Sequence, residues 1–249
     1  MALVTGGGRG LGAAICLGLA EDGADVAVNY SKSADAAAEV VAAIEELGRR
    51  AIAVQGSVAE PADDARMVEQ TVAELGGLNI LVHNAGVASR GRSVAKTDPD
   101  ELVQVLGVHA IGPHHLTREA LPHLRQGERG DIVFISSIAT RHHQPAGAPY
   151  SMGKAAMESL AFTLAKEERN KGIHVNIVAP GLIRTDMGRK LVRSWGVDDI
   201  DSMDAQAPFG HVLRPEEAAD VVRFFVSDAA RYVTGERIYV DGNGVMPGS

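Results

Sequence analysis

The feature that most constrains this chain is a run of glycines near its start. Ala2–Thr5 is short and apolar and leads straight into Gly6-Gly7-Gly8-Arg9-Gly10-Leu11-Gly12, after which a helical pattern begins. Glycine permits positive φ in a turn and lets backbone approach a phosphate closely. The helix behind such a turn offers free N–H groups and the positive end of its dipole. Strand, glycine turn and helix, in that order, are what a dinucleotide pyrophosphate needs. Gly6, Arg9, Gly10, Leu11 and Gly12 are therefore candidate cofactor contacts. The spacing G-x-x-x-G-x-G differs from the commoner G-x-G-x-x-G, so the turn alone does not fix the ligand.

The rest of the chain repeats the alternation. Candidate strands are 25–29, 51–54, 79–82, 131–135, 174–178 and 237–240, most of them too apolar to show a polar face. That pattern predicts strands buried on both sides of a parallel sheet. Helical stretches fall near 11–22, 35–47, 61–75, 98–125, 150–170 and 215–227. Asp98-Pro99 reads as an N-cap followed by proline at the first helical position. Gly48 and Gly172 stand where helix ends need a left-handed residue. Repeated β-α-β units predict an α/β doubly wound sheet in a single domain spanning 1–249. Residues 187–214 show no clear periodicity and read as a long functional loop.

Composition narrows the function. With 45% hydrophobic and 22% charged residues the chain reads as globular. The net charge of −8 gives no reason to expect nucleic acid or an anionic membrane as partner. One cysteine, Cys16, rules out an intrachain disulfide and a cysteine zinc cluster. No run approaches the ~18 apolar residues of a membrane span, and no signal-peptide pattern opens the chain. The expectation is a cytoplasmic protein. The pairs His114-His115 and His142-His143 lack a carboxylate or cysteine at ligand spacing, so no metal site is expected. Arg118, Arg125 and Arg129 read as a solvated face rather than a docking patch.

A second constellation carries chemistry. Strand 131–135 ends in Ser136-Ser137, and thirteen residues beyond Ser137 Tyr150-Ser151-Met152-Gly153-Lys154 opens a helix. Tyr150 and Lys154 are four apart and share a helix face. A free phenol, with pKa near 10, exchanges protons poorly at pH 7. An ammonium ~4 Å away favours tyrosinate by about 4 kcal/mol at an effective dielectric near 20, before desolvation opposes it. The expectation is a Tyr150 phenol lowered toward neutrality and able to act as general acid or base. The Ser137 hydroxyl beside it can hold a carbonyl or hydroxyl oxygen.

With these motifs assembled, the chain resembles the short-chain dehydrogenase/reductase family, especially its 3-oxoacyl-ACP-reductase-like members. The resemblance spans about residues 2–246 and rests on TGGGRGLG (5–12), HNAG (83–86), SS (136–137), YSMGK (150–154), NIVAPGLIRTDM (176–187) and YVTGERIYVDG (232–242). It implies a Rossmann-type parallel sheet of about seven strands and a nicotinamide-dependent oxidoreductase. Tyr150 would be the acid/base and Ser137 the substrate-positioning hydroxyl. Lys154 would tune Tyr150 and hold the nicotinamide ribose. Asn84, Ala85 and Gly86 would lie beside the adenine ribose; Pro180, Gly181, Ile183 and Thr185 would border the nicotinamide and pyrophosphate. The 187–214 segment would be a mobile substrate loop. A homotetramer would form through the helices near 98–125 and 150–170 and through the last strand with its tail.

Departures from the family pattern are informative. His109 stands in Val108-His109-Ala110-Ile111-Gly112 where an asparagine usually positions a relay water, so a neutral His109 is the candidate replacement, as donor and acceptor. His83 replaces the first residue of N-N-A-G, and Ser57, in Gly56-Ser57-Val58, replaces an aspartate that often meets the adenine. Strand two ends Asn29-Tyr30-Ser31-Lys32 without the carboxylate that binds both ribose hydroxyls in NAD enzymes. Ser31, Lys32 and Arg9 would instead face a 2′-phosphate, so NADP(H) is preferred, with NAD(H) possible. The leading expectation is reduction of a small-molecule or carrier-bound ketone to a secondary alcohol. The alternatives are an NAD-linked dehydrogenase of a sugar, steroid or diol, and a dinucleotide-binding sensor without turnover.

Overall fold

The computed structural model of the chain describes residues 1–244. In order it builds β1 (Ala2–Val4), α1 (Gly10–Glu21), β2 (Val26–Tyr30), α2 (Ala34–Glu46), β3 (Ala51–Gln55), α3 (Pro61–Leu75) and β4 (Ile80–His83). The second half adds α4 (Pro99–Leu106), α5 (Gly112–Leu124), β5 (Gly130–Ile135), α6 (Ala139–His142), α7 (Ala148–Glu168), β6 (Ile173–Pro180), α8 (Asp186–Ser194), α9 (Pro215–Val226) and β7 (Arg237–Val240). All seven strands pair in parallel, in the order β3-β2-β1-β4-β5-β6-β7. The winding reverses between β1 and β4, and the crevice beyond their carboxyl ends is where α/β sheets of this kind place ligands.

The apolar strands have the physical cause the sequence suggests. Successive side chains point to opposite faces. Ala2 and Val4 enter a core with Ile15 and Leu19 of α1, Ile44 of α2 and Phe225 of α9. Leu3, between them, enters the opposite core with Met67 of α3, Leu116 of α5 and Ala161 of α7. Asp98 Oδ1 accepts the Asp100 N–H at 3.0 Å, with Pro99 next in line. Gly48 and Gly172 both have φ of +76°.

Two stretches differ from expectation. The single helix read over 98–125 is α4 and α5 separated by a π turn at Gly107–Ile111. The chain packs closely where α5 resumes: a Cβ at Gly112 would stand 1.7 Å from the Val58 carbonyl oxygen. The segment read as a long loop carries α8 and a 3-10 helix, Ile200–Gln206, around a small core of Val192, Ile200, Met203 and Val212. Met187, Leu191, Val192 and Trp195 follow helical spacing, but interspersed charges masked it. Residues 245–249, and so most of the tail assigned to assembly and the end of the 2–246 resemblance, lie outside the described residues.

Asp64 of α3 is fully buried, and neither carboxylate oxygen has a partner. Burial, with Asp63 and Glu119 nearby, pushes its pKa up to about 8. The fold therefore favours the neutral acid. Its contribution is fully present below the unfolded pKa near 4 and is lost as pH rises through 8. Asp64→Asn is expected to raise Tm at pH 8 by several degrees, from about 1–3 kcal/mol, and to change it little at pH 4. Thermal melts at both pH values check this; equal shifts would contradict it.

Candidate active site

The glycine turn sits at the β1 end of the crevice. Gly6 and Gly10 have φ of +62° and +55°, which L side chains adopt only with strain. A Cβ at Gly12 would lie 2.1 Å from the Gly6 carbonyl oxygen, so only glycine lets the first turn of α1 close against the loop. The N-terminus of α1 has no side-chain cap, so its N–H groups remain available to an anion. This cradle fits a dinucleotide pyrophosphate. Leu11 is buried in the core behind it. Arg9 and, after β2, Ser31 and Lys32 are exposed, and no carboxylate pairs with Arg9 or Lys32 among the described residues.

Neighbouring strands brace the turn. Asn29 Oδ1 accepts the Gly6 N–H at 3.0 Å, while its Nδ2 donates to the Val54 and Gly56 carbonyls. Asn84 Nδ2 donates to the Thr5 and Gly6 carbonyls, and the Thr5 hydroxyl oxygen accepts the N–H groups of Asn84 and Ala85. Asn84 thus ties the end of β4 to the turn, a role the sequence reading missed. Ser57 donates its N–H to Asp63 Oδ2 at 2.8 Å, and Val58 is buried beside it. From β6, Pro180 accepts the Ile138 N–H and Gly181 donates to the Val240 carbonyl. Ile183 bridges to Leu213, and Thr185 caps α8 through Gly188. A Cβ on Gly10 would come within 3.2 Å of the Thr185 methyl, so the 180–185 segment closes over the glycine turn.

Ser137 follows β5, while Tyr150 and Lys154 lie on the first turns of α7. Lys154 is 3% exposed, and its ammonium donates to the Ile135 carbonyl at 2.6 Å. Its Nζ stands 5.7 Å from the centre of the Tyr150 ring. Burial lowers the Lys154 pKa to about 7, opposed by Glu158. Burial also raises the Tyr150 pKa, with the Ser137 hydroxyl acting in the opposite direction. This reverses the expected lowering of Tyr150. Lysine donates to a backbone carbonyl and, near pKa 7, carries only part of a charge, so its attraction does not outweigh desolvation.

His109, in the π turn, is 1% exposed and meets the Tyr150 ring edge-on, with centroids 5.2 Å apart. Burial and Lys154 lower its pKa to about 3, so the imidazole is neutral at pH 7. Its Nε2 lies 2.8 Å from the Val87 carbonyl oxygen and 3.2 Å from the Val87 amide nitrogen, so it donates to the first in one tautomer and accepts from the second in the other. Nδ1 is buried without a partner. Nε2 is therefore engaged with the Val87 backbone in either tautomer, and Nδ1 is the ring nitrogen left without a protein partner. Gly86 and Gly153 make room for the ring: a Cβ on either would approach it within 2.8 and 2.9 Å.

The remaining polar features are structural. His83 stacks on Phe134 and meets Thr117 Oγ1 at 2.9 Å. Arg125 pairs with buried Glu168 and Arg129 with Asp131, so two of the three arginines are not a solvated face. Among the described residues, no three His, Cys, Asp or Glu side chains cluster to hold a metal, and no helix is long and apolar enough to cross a membrane.

A family model described as Enoyl-(Acyl carrier protein) reductase matches residues 6–244. Versicolorin reductase of Emericella nidulans is 39% identical over 97% of this chain and 94% of its own length. The 3-oxoacyl-(acyl-carrier-protein) reductase of Staphylococcus epidermidis is 35% identical over 98% of both chains. A solved short chain dehydrogenase from Burkholderia cenocepacia, in complex with NADP, superposes with a TM-score of 0.87 at 38% identity, covering 97% of this chain and 96% of that one. The angucycline C-6 ketoreductase LanV with bound NADP gives 0.87 at 34% identity, over 97% and 93%. With the parallel sheet, the glycine cradle and the Ser137, Tyr150 and Lys154 constellation, these similarities identify the chain as an oxidoreductase that belongs to the short-chain dehydrogenase/reductase family.

Proposed function

We propose that the protein is an NADP(H)-dependent ketoreductase that converts a small-molecule or carrier-bound ketone into a secondary alcohol. The observation that carries this reading is the gathering of Ser137, Tyr150 and Lys154 at the same end of the sheet as the glycine cradle. The names of the relatives, reductases of versicolorin and of 3-oxoacyl carriers, and the NADP held by two solved neighbours support it. When bound, the nicotinamide supplies hydride to the carbonyl carbon. Ser137 donates a hydrogen bond to the carbonyl oxygen and orients it. The neutral Tyr150 phenol, kept protonated by burial, gives its proton to the same oxygen as negative charge develops there. Lys154 then favours the tyrosinate left behind and holds the nicotinamide ribose.

The cradle residues Gly6, Gly10, Leu11 and Gly12 hold the pyrophosphate, with Thr185 and Ile183 closing over it. Ser57, Val58, Asn84, Ala85 and Gly86 border the adenosine half, and Pro180 and Gly181 the nicotinamide half. Arg9, Ser31 and Lys32 take the 2′-phosphate. Residues 187–214 cover the substrate. NADPH oxidation across a panel of ketones, including 3-oxoacyl thioesters and aromatic polyketide-like ketones, tests the reading; no turnover with any of them would overturn it.

His109 enters through its Nδ1. That nitrogen shares a hydrogen bond with water on the path that returns a proton to the Tyr150 and Lys154 pair. His109→Ala is expected to lower kcat about 10-fold, a fraction of a full acid–base effect. His109→Asn is expected to retain activity. Wild-type kcat and pH profile in His109→Ala would reduce the ring to packing.

The protein is further proposed to assemble as a homotetramer. Val103, Ile111 and Met152 are large, exposed and apolar on the elements expected to pair across a two-fold axis. Light scattering at micromolar concentration should give about four times the 26.1 kDa chain mass; the mass of one chain would contradict it.

A further inference from the structure

We propose that Glu158 is a positioning residue for the reduction, its carboxylate fixing the turn that carries Ser137 and placing a negative charge one helical turn from Lys154. The proposal rests on the reading of Tyr150 and Lys154 as the acid–base pair.

Glu158 lies one helical turn beyond Lys154 and two beyond Tyr150, so all three project from one face of α7. It is 5% exposed. Its Oε1 accepts from Ser136 Oγ at 2.5 Å and Thr140 Oγ1 at 2.9 Å. Its Oε2 accepts from the Arg237 guanidinium, which itself lies over the Tyr239 and Phe162 rings. Ser136 and Thr140 flank Ser137 on the end of β5 and on α6, and Arg237 comes from β7. One carboxylate therefore joins α7 to both sides of the serine turn and to the far edge of the sheet.

Its charge matters as well as its hydrogen bonds. Lys154 is buried, and burial alone drives it toward the neutral form. The groups that face it are Tyr150 and Glu158 on its own helix, His83 on β4, His109 in the π turn and Arg237 on β7 through Glu158. Both histidines are neutral, with pKa values near 3. Glu158 is the anion that opposes this desolvation in part. Arg237 in turn offsets part of that anion.

The test is kcat against pH for ketone reduction by wild type, Glu158→Gln and Arg237→Met. Glutamine still accepts from Ser136 and Thr140 but carries no charge. The alkaline limb in Glu158→Gln is expected to move down by about one pH unit, and kcat above it to fall about 10-fold. In Arg237→Met the carboxylate is unopposed, and the limb is expected to move up. Limbs that stay in place, or move the same way in both variants, would overturn the proposal, because a purely structural clamp is weakened alike by both changes. If Glu158→Gln fails to fold, the upward shift in Arg237→Met alone decides it, and an unmoved limb there overturns it. Failure of the underlying acid–base reading is separate, since it shows as near-normal turnover in Tyr150→Phe.

Discussion

Tyr150→Phe is expected to lower kcat for ketone reduction by about 10²–10⁴-fold, the range of a lost general acid. KM for the cofactor and Tm should hardly move. The phenol hydroxyl has the Ser137 hydroxyl, within the site itself, as its polar partner, and the ring keeps its edge-on contact with His109. Steady-state kinetics at pH 7 with a fluorescence titration of NADPH check both halves. Because burial raises the phenol pKa, the group is protonated at neutral pH and has a proton to give. Turnover within a few-fold of wild type would remove Tyr150 from the chemistry.

The second large effect is expected at the adenosine end. Arg9 precedes α1 and Lys32 follows β2; both are exposed, and strand two ends without a carboxylate. Each charge-assisted hydrogen bond to a 2′-phosphate contributes about 1.5–3 kcal/mol, or roughly 10- to 150-fold. Arg9→Ala and Lys32→Ala should each lower kcat/KM with NADPH by that factor and leave kcat/KM with NADH nearly unchanged. Measuring both coenzymes with one ketone separates this from a general loss of binding. Equal or better kcat/KM with NADH in the wild type would refute the preference.

Much of the fold was legible because its signals are local. β-branched runs too apolar for one wet face, glycines at helix ends and Asp98-Pro99 each report on a few residues. The glycine turn and the Tyr150 to Lys154 spacing are equally local, and the structure brings them to one end of the sheet. What escaped depends on distant partners. Asn84 ties β4 to the glycine turn across nearly eighty residues of chain, and Arg237 reaches Glu158 from the last strand. The π turn at Gly107–Ile111 has no local sequence signal, and the Val58 carbonyl packed against Gly112 beside it comes from a distant loop. Glu158 carried a usable signal, its place four residues after Lys154 on the same face. The Tyr150 electrostatics were misjudged because spacing gives proximity but not burial. Lys154 donates a hydrogen bond to the Ile135 carbonyl and is desolvated, so its pull on the phenol is weaker than a charge at 4 Å implies.

The most direct test of the whole account is the fate of hydride. Purified protein is incubated with NADPH deuterated at the transferring position of C4 and with each ketone of the panel, and products are read by mass spectrometry. The account predicts a secondary alcohol carrying one deuterium on the carbinol carbon, formed in equal amount to NADP⁺, with Tyr150→Phe yielding at most a hundredth as much in the same time. Tight NADPH binding with no deuterated alcohol from any ketone, even at stoichiometric enzyme, would contradict it and favour a dinucleotide-binding protein without turnover.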